Sequence, residues 1–92
     1  MIWIKSGNKM TRVEYTDEFK DDIKHIKNKD LRWKIKKAIK KIGDNPNVGK
    51  PLRYKLKGCF SVRVPPFRII YEIEGEVVWL HKFDHRDGVY GK

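Results

Sequence analysis

The chain has 92 residues, with 22 Lys and Arg against 12 Asp and Glu and a formal net charge of +10. That length makes one domain with a small core, and the longest apolar runs, such as Val77-Val78-Trp79-Leu80, fall far short of the ~20 residues of a membrane span. A single cysteine, Cys59, excludes an internal disulfide and a multi-cysteine metal site, and Met1–Lys5 is too short for a signal-peptide core, so the chain reads as cytoplasmic.

Met10 offers an alternative start, which makes residues 1–11 a candidate N-terminal extension of a single domain spanning 1–92. Arg12–Tyr15 is a short strand. Thr16 then reads as a helix N-cap, with Asp17 and Glu18 in the first turn. Phe19, Ile23 and Ile26 follow at i, i+4, i+7, one apolar stripe. Asn28-Lys29 interrupts it, and Asp30 is positioned to cap a second helix. In that helix Leu31, Ile35, Ala38, Ile39 and Ile42 share a face, and Arg32, Lys34, Lys36, Lys37, Lys40 and Lys41 fill the other. Gly43 closes it and Pro46 forbids continuation. So tight a connection predicts an antiparallel helical hairpin.

A loop follows from Asn45 to Gly58, carrying Lys50, Arg53, Lys55 and Lys57. The period then changes to two. Phe60, Val62 and Val64 alternate with Cys59, Ser61 and Arg63; Pro65-Pro66 turns the chain; Phe67, Ile69, Tyr71 and Ile73 alternate with Arg68, Ile70 and Glu72; a second turn leads into Val77–Phe83. The expected fold is α+β: an N-terminal strand, the helical hairpin, and a three-stranded antiparallel meander in one small sheet.

Charge is unevenly placed. Between Lys20 and Lys57 lie fourteen of the 22 cations and four acids, so this stretch carries the whole net charge. Such a polycation favours polyanionic partners, chiefly nucleic acid, and equally describes a solvated lysine-rich face. Two-residue loops at Pro65-Pro66 and Glu74-Gly75 would set Arg63 opposite Arg68, and Arg68 opposite His81, on the face away from the helices. Like charges so placed are destabilising unless an anion sits between them, which makes the row a site candidate.

At this point a resemblance enters. The ordered run Asn45-Pro46, Gly49-Lys50-Pro51-Leu52, Leu56-Lys57-Gly58-Cys59-Phe60-Ser61-Val62-Arg63-Val64, Phe67-Arg68-Ile69-Ile70-Tyr71-Glu72-Ile73, His85-Arg86 and Val89-Tyr90 resembles the RelE branch of the RelE/ParE toxin superfamily, over Arg12 to Tyr90. Four features depart from the family pattern: Pro65-Pro66 in place of a Gly/Asp/Asn turn, Asp84 in place of a small residue, Gly88 inserted before Val89-Tyr90, and Ser61 where some relatives carry lysine.

The resemblance implies the toxin of a toxin–antitoxin pair that cleaves mRNA in the A site of a 70S-type ribosome. A RelB-like antitoxin would hold it inactive, and the complex would bind operator DNA through the antitoxin. Carried over by position, Arg63, Arg68 and Arg86 are the arginines that stabilise a phosphorane, Tyr90 is the C-terminal tyrosine, and Lys50, Arg53, Lys55 and Lys57 grip the RNA backbone. Lys36, Lys37, Lys40 and Lys41 are expected to touch the ribosome. No metal and no cofactor are implied. Arginine is a poor base, with a pKa of about 12.5 or more, so His81, His85 or Tyr90 are the candidates for proton transfer. Two alternatives stay open: a ParE-like inhibitor of DNA gyrase, and a non-catalytic RNA-binding or decayed toxin domain.

Overall fold

The computed structural model describes residues 2–7 and 9–85. Arg86 and Tyr90, two of the expected site residues, lie outside them. The elements run β1 (Ile2–Ser6), β2 (Lys9–Tyr15), α1 (Asp17–Lys24), α2 (Lys29–Asp44), β3 (Lys50–Pro51), β4 (Cys59–Val64), β5 (Phe67–Glu74) and β6 (Val77–His85), with short 3-10 turns at Pro46–Val48 and Tyr54–Leu56.

The α+β class and the β4-β5-β6 meander are as expected, but the sheet has six strands rather than the meander plus one, in the order β1-β2-β6-β5-β4-β3. β2 joins the meander's edge in parallel with β6, Val13 facing Val78. The first residues add a further strand, β1, antiparallel to β2. At the other edge Lys50 and Pro51 pair with Ser61 and Phe60. Neither outer strand has a long alternating pattern of its own, so each depends on its neighbour for pairing.

Helix starts follow local chemistry. The Thr16 hydroxyl accepts from the Phe19 amide at 3.1 Å, as expected of an N-cap. For α2 the cap is Asn28, accepting from Leu31 N at 2.9 Å, and not Asp30, which lies in the first turn. Gly43 does not end α2 either. It lies inside the helix, buried, with the Ile4 side chain against it, and the helix runs one residue further. Ile4 thus brings β1 onto α2.

One face of the sheet carries the core. Val13, Phe19, Ile42, Ile69, Tyr71, Val78 and Leu80 are fully buried, and each such side chain contributes about 1.5–3 kcal/mol. The stripe Ile35, Ala38, Ile39, Ile42 supplies the helical side, as its spacing predicts. The intervening Lys34, Lys36, Lys37, Lys40 and Lys41 are exposed.

The β4–β5 register is the expected one, Val64 facing Phe67 and Arg63 facing Arg68. The β5–β6 register is not. The loop there is Gly75-Glu76, with Glu74 facing Val77. Gly75 takes φ +62° at the first loop position, where tight hairpin turns require a left-handed residue. A bulge then inserts His81, so that Tyr71 faces Leu80 but Ile70 faces Lys82, and Arg68 faces Asp84 instead of His81. Helix α1 holds this bulge. The Thr16 hydroxyl lies 3.0 Å from the His81 carbonyl oxygen, to which it donates. The Asp22 carboxylate accepts from Phe83 N at 3.0 Å.

Candidate functional site

The pleat places Ser61 and Arg63 of β4, Arg68 and Ile70 of β5, and Asp84 of β6 on the sheet face opposite the helices, since their register partners and alternate neighbours fall together. Lys50 of β3 faces Ser61 and so joins the same face. At the β3–β4 side of the sheet a pocket of about 370 Å³ draws on both faces, lined by Lys41 of α2, Val48, Lys50, Leu52, Ser61, Val62, Arg63 and Arg68. Of these eight described residues four are cations and none is acidic. Arg68 is 4% exposed and Arg63 is exposed, so a buried arginine and a solvent-facing one stand side by side across the β4–β5 ladder.

Local structure explains how Lys50 arrives. Tyr71, on the core face of β5, donates its hydroxyl to the Pro46 carbonyl oxygen at 2.6 Å and accepts from Gly49 N at 3.0 Å. A Cβ at position 49 would run into the Tyr71 hydroxyl. The 3-10 turn after α2 is thereby moored to the sheet, and β3 is delivered beside Ser61. Burial raises the Tyr71 phenol above its ordinary pKa, with the Gly49 hydrogen bond opposing in part, so the hydroxyl keeps the proton it donates.

The expected site residues divide. Arg63, Arg68, Lys50 and Lys41 come together. Arg53, Lys55 and Lys57 sit exposed on the following loop. Lys36 and Lys40 instead border a separate apolar groove of about 540 Å³ between β1 and α2, with Ile2, Trp3, Ile4, Lys5, Tyr15 and Ile39. Lys37 stands 6.0 Å over the Trp33 ring. His81 Nε2 lies 2.9 Å from Glu72 Oε1, and Glu72 is four residues along β5 from Arg68, about 13 Å at strand rise. His85 faces Phe67, its ring edge-on at 5.3 Å between centroids. Neither histidine stands beside the arginine pair on its face.

Asp84 does. Burial raises its carboxyl pKa above the ordinary 3.8; Asp22 and Glu18 push the same way, while Lys82 and Arg68 oppose. In sequence this residue registers only as a departure from the family pattern; the β6 bulge is what brings it opposite Arg68. Among the described residues no group of three His, Cys, Asp or Glu side chains is placed to hold a metal ion, and no helix is long and apolar enough to cross a membrane. Chemically, the pocket is suited to binding a phosphodiester: planar forks and ammonium groups converge on one concavity.

The model of the family described as the ParE toxin of the type II toxin–antitoxin system parDE matches residues 13–90. The chain belongs to the RelE/ParE toxin superfamily. This toxin is 32% identical over 81 residues to Toxin RelG of Mycobacterium tuberculosis, covering 85% of the present chain and 93% of RelG. Among solved structures it is similar to the RelBE2 toxin–antitoxin complex of the same organism, with a TM-score of 0.71, 30% identity, and 83% and 98% of the two chains covered. The RelB–RelE complex of Methanococcus jannaschii shares the fold at a TM-score of 0.67 and 22% identity, covering 85% and 95%. The matched family region begins inside β2, so β1 lies outside it.

Proposed function

We propose that this toxin inhibits translation as a metal-independent, ribosome-dependent endoribonuclease that cuts mRNA in the A site. The observation carrying this reading is the pocket in which Arg63 and Arg68 face each other with Lys41 and Lys50 alongside. In the reaction the RNA 2′-oxygen forms a bond to the adjacent phosphorus and the P–O5′ bond breaks, leaving a cyclic phosphate and a free 5′-hydroxyl. The 2′-proton passes to a base and the leaving oxygen takes up a proton. Guanidinium groups stabilise the added negative charge in between. Arg63 and Arg68 take that role, with Arg86 as a third cation and Tyr90 as a proton-transfer group by family resemblance. Of the groups at hand, Asp84 joins His81, His85 and Tyr90 as a candidate for the proton steps. With no strong acid–base pair among the described residues of the pocket, the reaction depends on the ribosome to hold the 2′-oxygen in line.

The partner that restrains the toxin is a RelB-like antitoxin, in keeping with relatives solved as toxin–antitoxin complexes. A net charge of +10 calls for an acidic one. A ParE-like action on gyrase rests on the matched family's name alone, whereas the relatives named above are RelG, RelBE2 and RelB–RelE.

Toe-printing of ribosomes with purified toxin tests the proposal. Wild type should truncate mRNA at the A site, and Arg63→Ala and Arg68→Ala should not. Arrest by both variants at the wild-type rate would refute the arginine mechanism.

A further inference from the structure

Tyr54 opens the 3-10 turn between β3 and β4 with φ +60°, the one non-glycine positive φ among the described residues. Left-handed backbone brings Cβ against the following carbonyl oxygen and is disfavoured for any residue with a side chain, least so for Asn and Asp. A tyrosine there is conformationally disfavoured. The residue is 89% exposed, against 62% for Trp33 and 53% for Trp3, so the ring buries little. The backbone around it is nonetheless closed: Lys57 N donates to the Tyr54 carbonyl oxygen at 3.0 Å, Leu56 N to Arg53 O at 3.2 Å, and Leu52 N to Cys59 O at 2.9 Å. An aromatic ring is therefore held out into solvent on an ordered loop.

Its surroundings indicate what it meets. Arg53, Lys55 and Lys57 flank it and are exposed, while the loop's own leucines, Leu52 and Leu56, are half-buried and offer no apolar patch around the ring. Leu52 lines the cationic pocket, and two Cα steps of 3.8 Å put the Tyr54 Cα within about 8 Å of that wall. An exposed ring two residues from the wall of a cationic pocket and flanked by exposed cations is the arrangement of single-stranded nucleic acid binding: charges track the backbone and an aromatic face takes an unpaired base.

We propose that Tyr54 is a stacking platform for one unpaired base of the RNA whose phosphates enter the Lys41–Lys50–Arg63–Arg68 pocket. The inference rests on the RNA reading above and adds to it a base contact from a strained backbone position.

The test is binding of a fluorescent single-stranded oligoribonucleotide, followed by anisotropy across a salt series, with thermal melts of each variant. Tyr54→Ala and Tyr54→Gly should weaken binding roughly tenfold at every salt concentration, because stacking is not electrostatic and leaves the salt slope unchanged. Tyr54→Phe should bind as wild type. Lys50→Ala, a phosphate contact, should instead lower the slope by about one. Tyr54→Gly should melt no lower than wild type, since glycine accepts the left-handed backbone, which ensures that its loss of binding is not a loss of fold. Wild-type affinity in both Tyr54→Ala and Tyr54→Gly, or a loss of affinity accompanied by a lowered slope, would overturn the stacking role while leaving the RNA reading intact. A wild-type chain that binds no RNA would overturn both.

Discussion

The Tyr71 hydroxyl stands 3.0 Å from the Gly49 amide nitrogen, on the core side of the sheet from the arginine pair. Through it, a residue of the central meander sets the position of β3 and hence of Lys50. Tyr71→Phe removes this bond and the one to Pro46 O and leaves two part-buried backbone groups without their partner. It should cost about 1–2 kcal/mol, read by chemical denaturation. RNA affinity should fall as well, although Tyr71 touches no RNA, because Lys50 loses its fixed place.

Asp84 makes a pH prediction. Its folded-state pKa is raised, chiefly by burial, so the folded protein holds that proton more tightly than the unfolded chain. The stability this contributes is complete below the ordinary value of 3.8 and is lost as pH rises through the folded pKa. At pH 7 the ionised carboxylate is therefore a burden. Asp84→Asn should melt above wild type at pH 7 and level with it near pH 3. A lower melt at pH 7 would show that attraction to Arg68 and Lys82 outweighs desolvation.

The α2 lysines should not behave alike. Lys41 lines the cationic pocket, whereas Lys36 and Lys40 border the apolar groove beside β1. Neutralising Lys41 and Lys50 together should flatten the salt dependence of oligoribonucleotide binding by about two in slope. Neutralising Lys36 and Lys37 should leave short-RNA affinity unchanged in the same titration.

Arg63 and Arg68 are a like-charge cross-strand pair, and like charges directly opposite one another repel. Arg63→Gln should accordingly raise the melting temperature slightly at low salt, with the gain fading as salt screens the repulsion. Wild type, and not the variant, should gain stability when inorganic phosphate is added beyond that ionic-strength effect.

Much of this was legible in the residues themselves. The stripe on α2, the Thr16 cap and the facing of Arg63 with Arg68 all follow from local periodicity, cap chemistry and the Pro65-Pro66 break, each of which acts within a few residues. Asn28 and Asp30 are both good caps, so local chemistry does not choose between two starts of α2 that lie two residues apart. Gly43 looks like a terminator in sequence because its packing partner, Ile4, lies outside the helix that contains it.

The two helices, the meander strands, the cationic middle of the chain and the arginine pair were thus determined by sequence alone, because short-range sterics and alternation decide them. Tertiary structure alone decided where β6 slips. That slip depends on Thr16 and Asp22, more than sixty residues earlier, engaging backbone groups at His81 and Phe83. Together with the displaced Gly75-Glu76 loop, it exchanged His81 for Asp84 beside Arg68. Bulge formation and pocket closure are set by contacts between distant segments, and no local pattern in the residues records them.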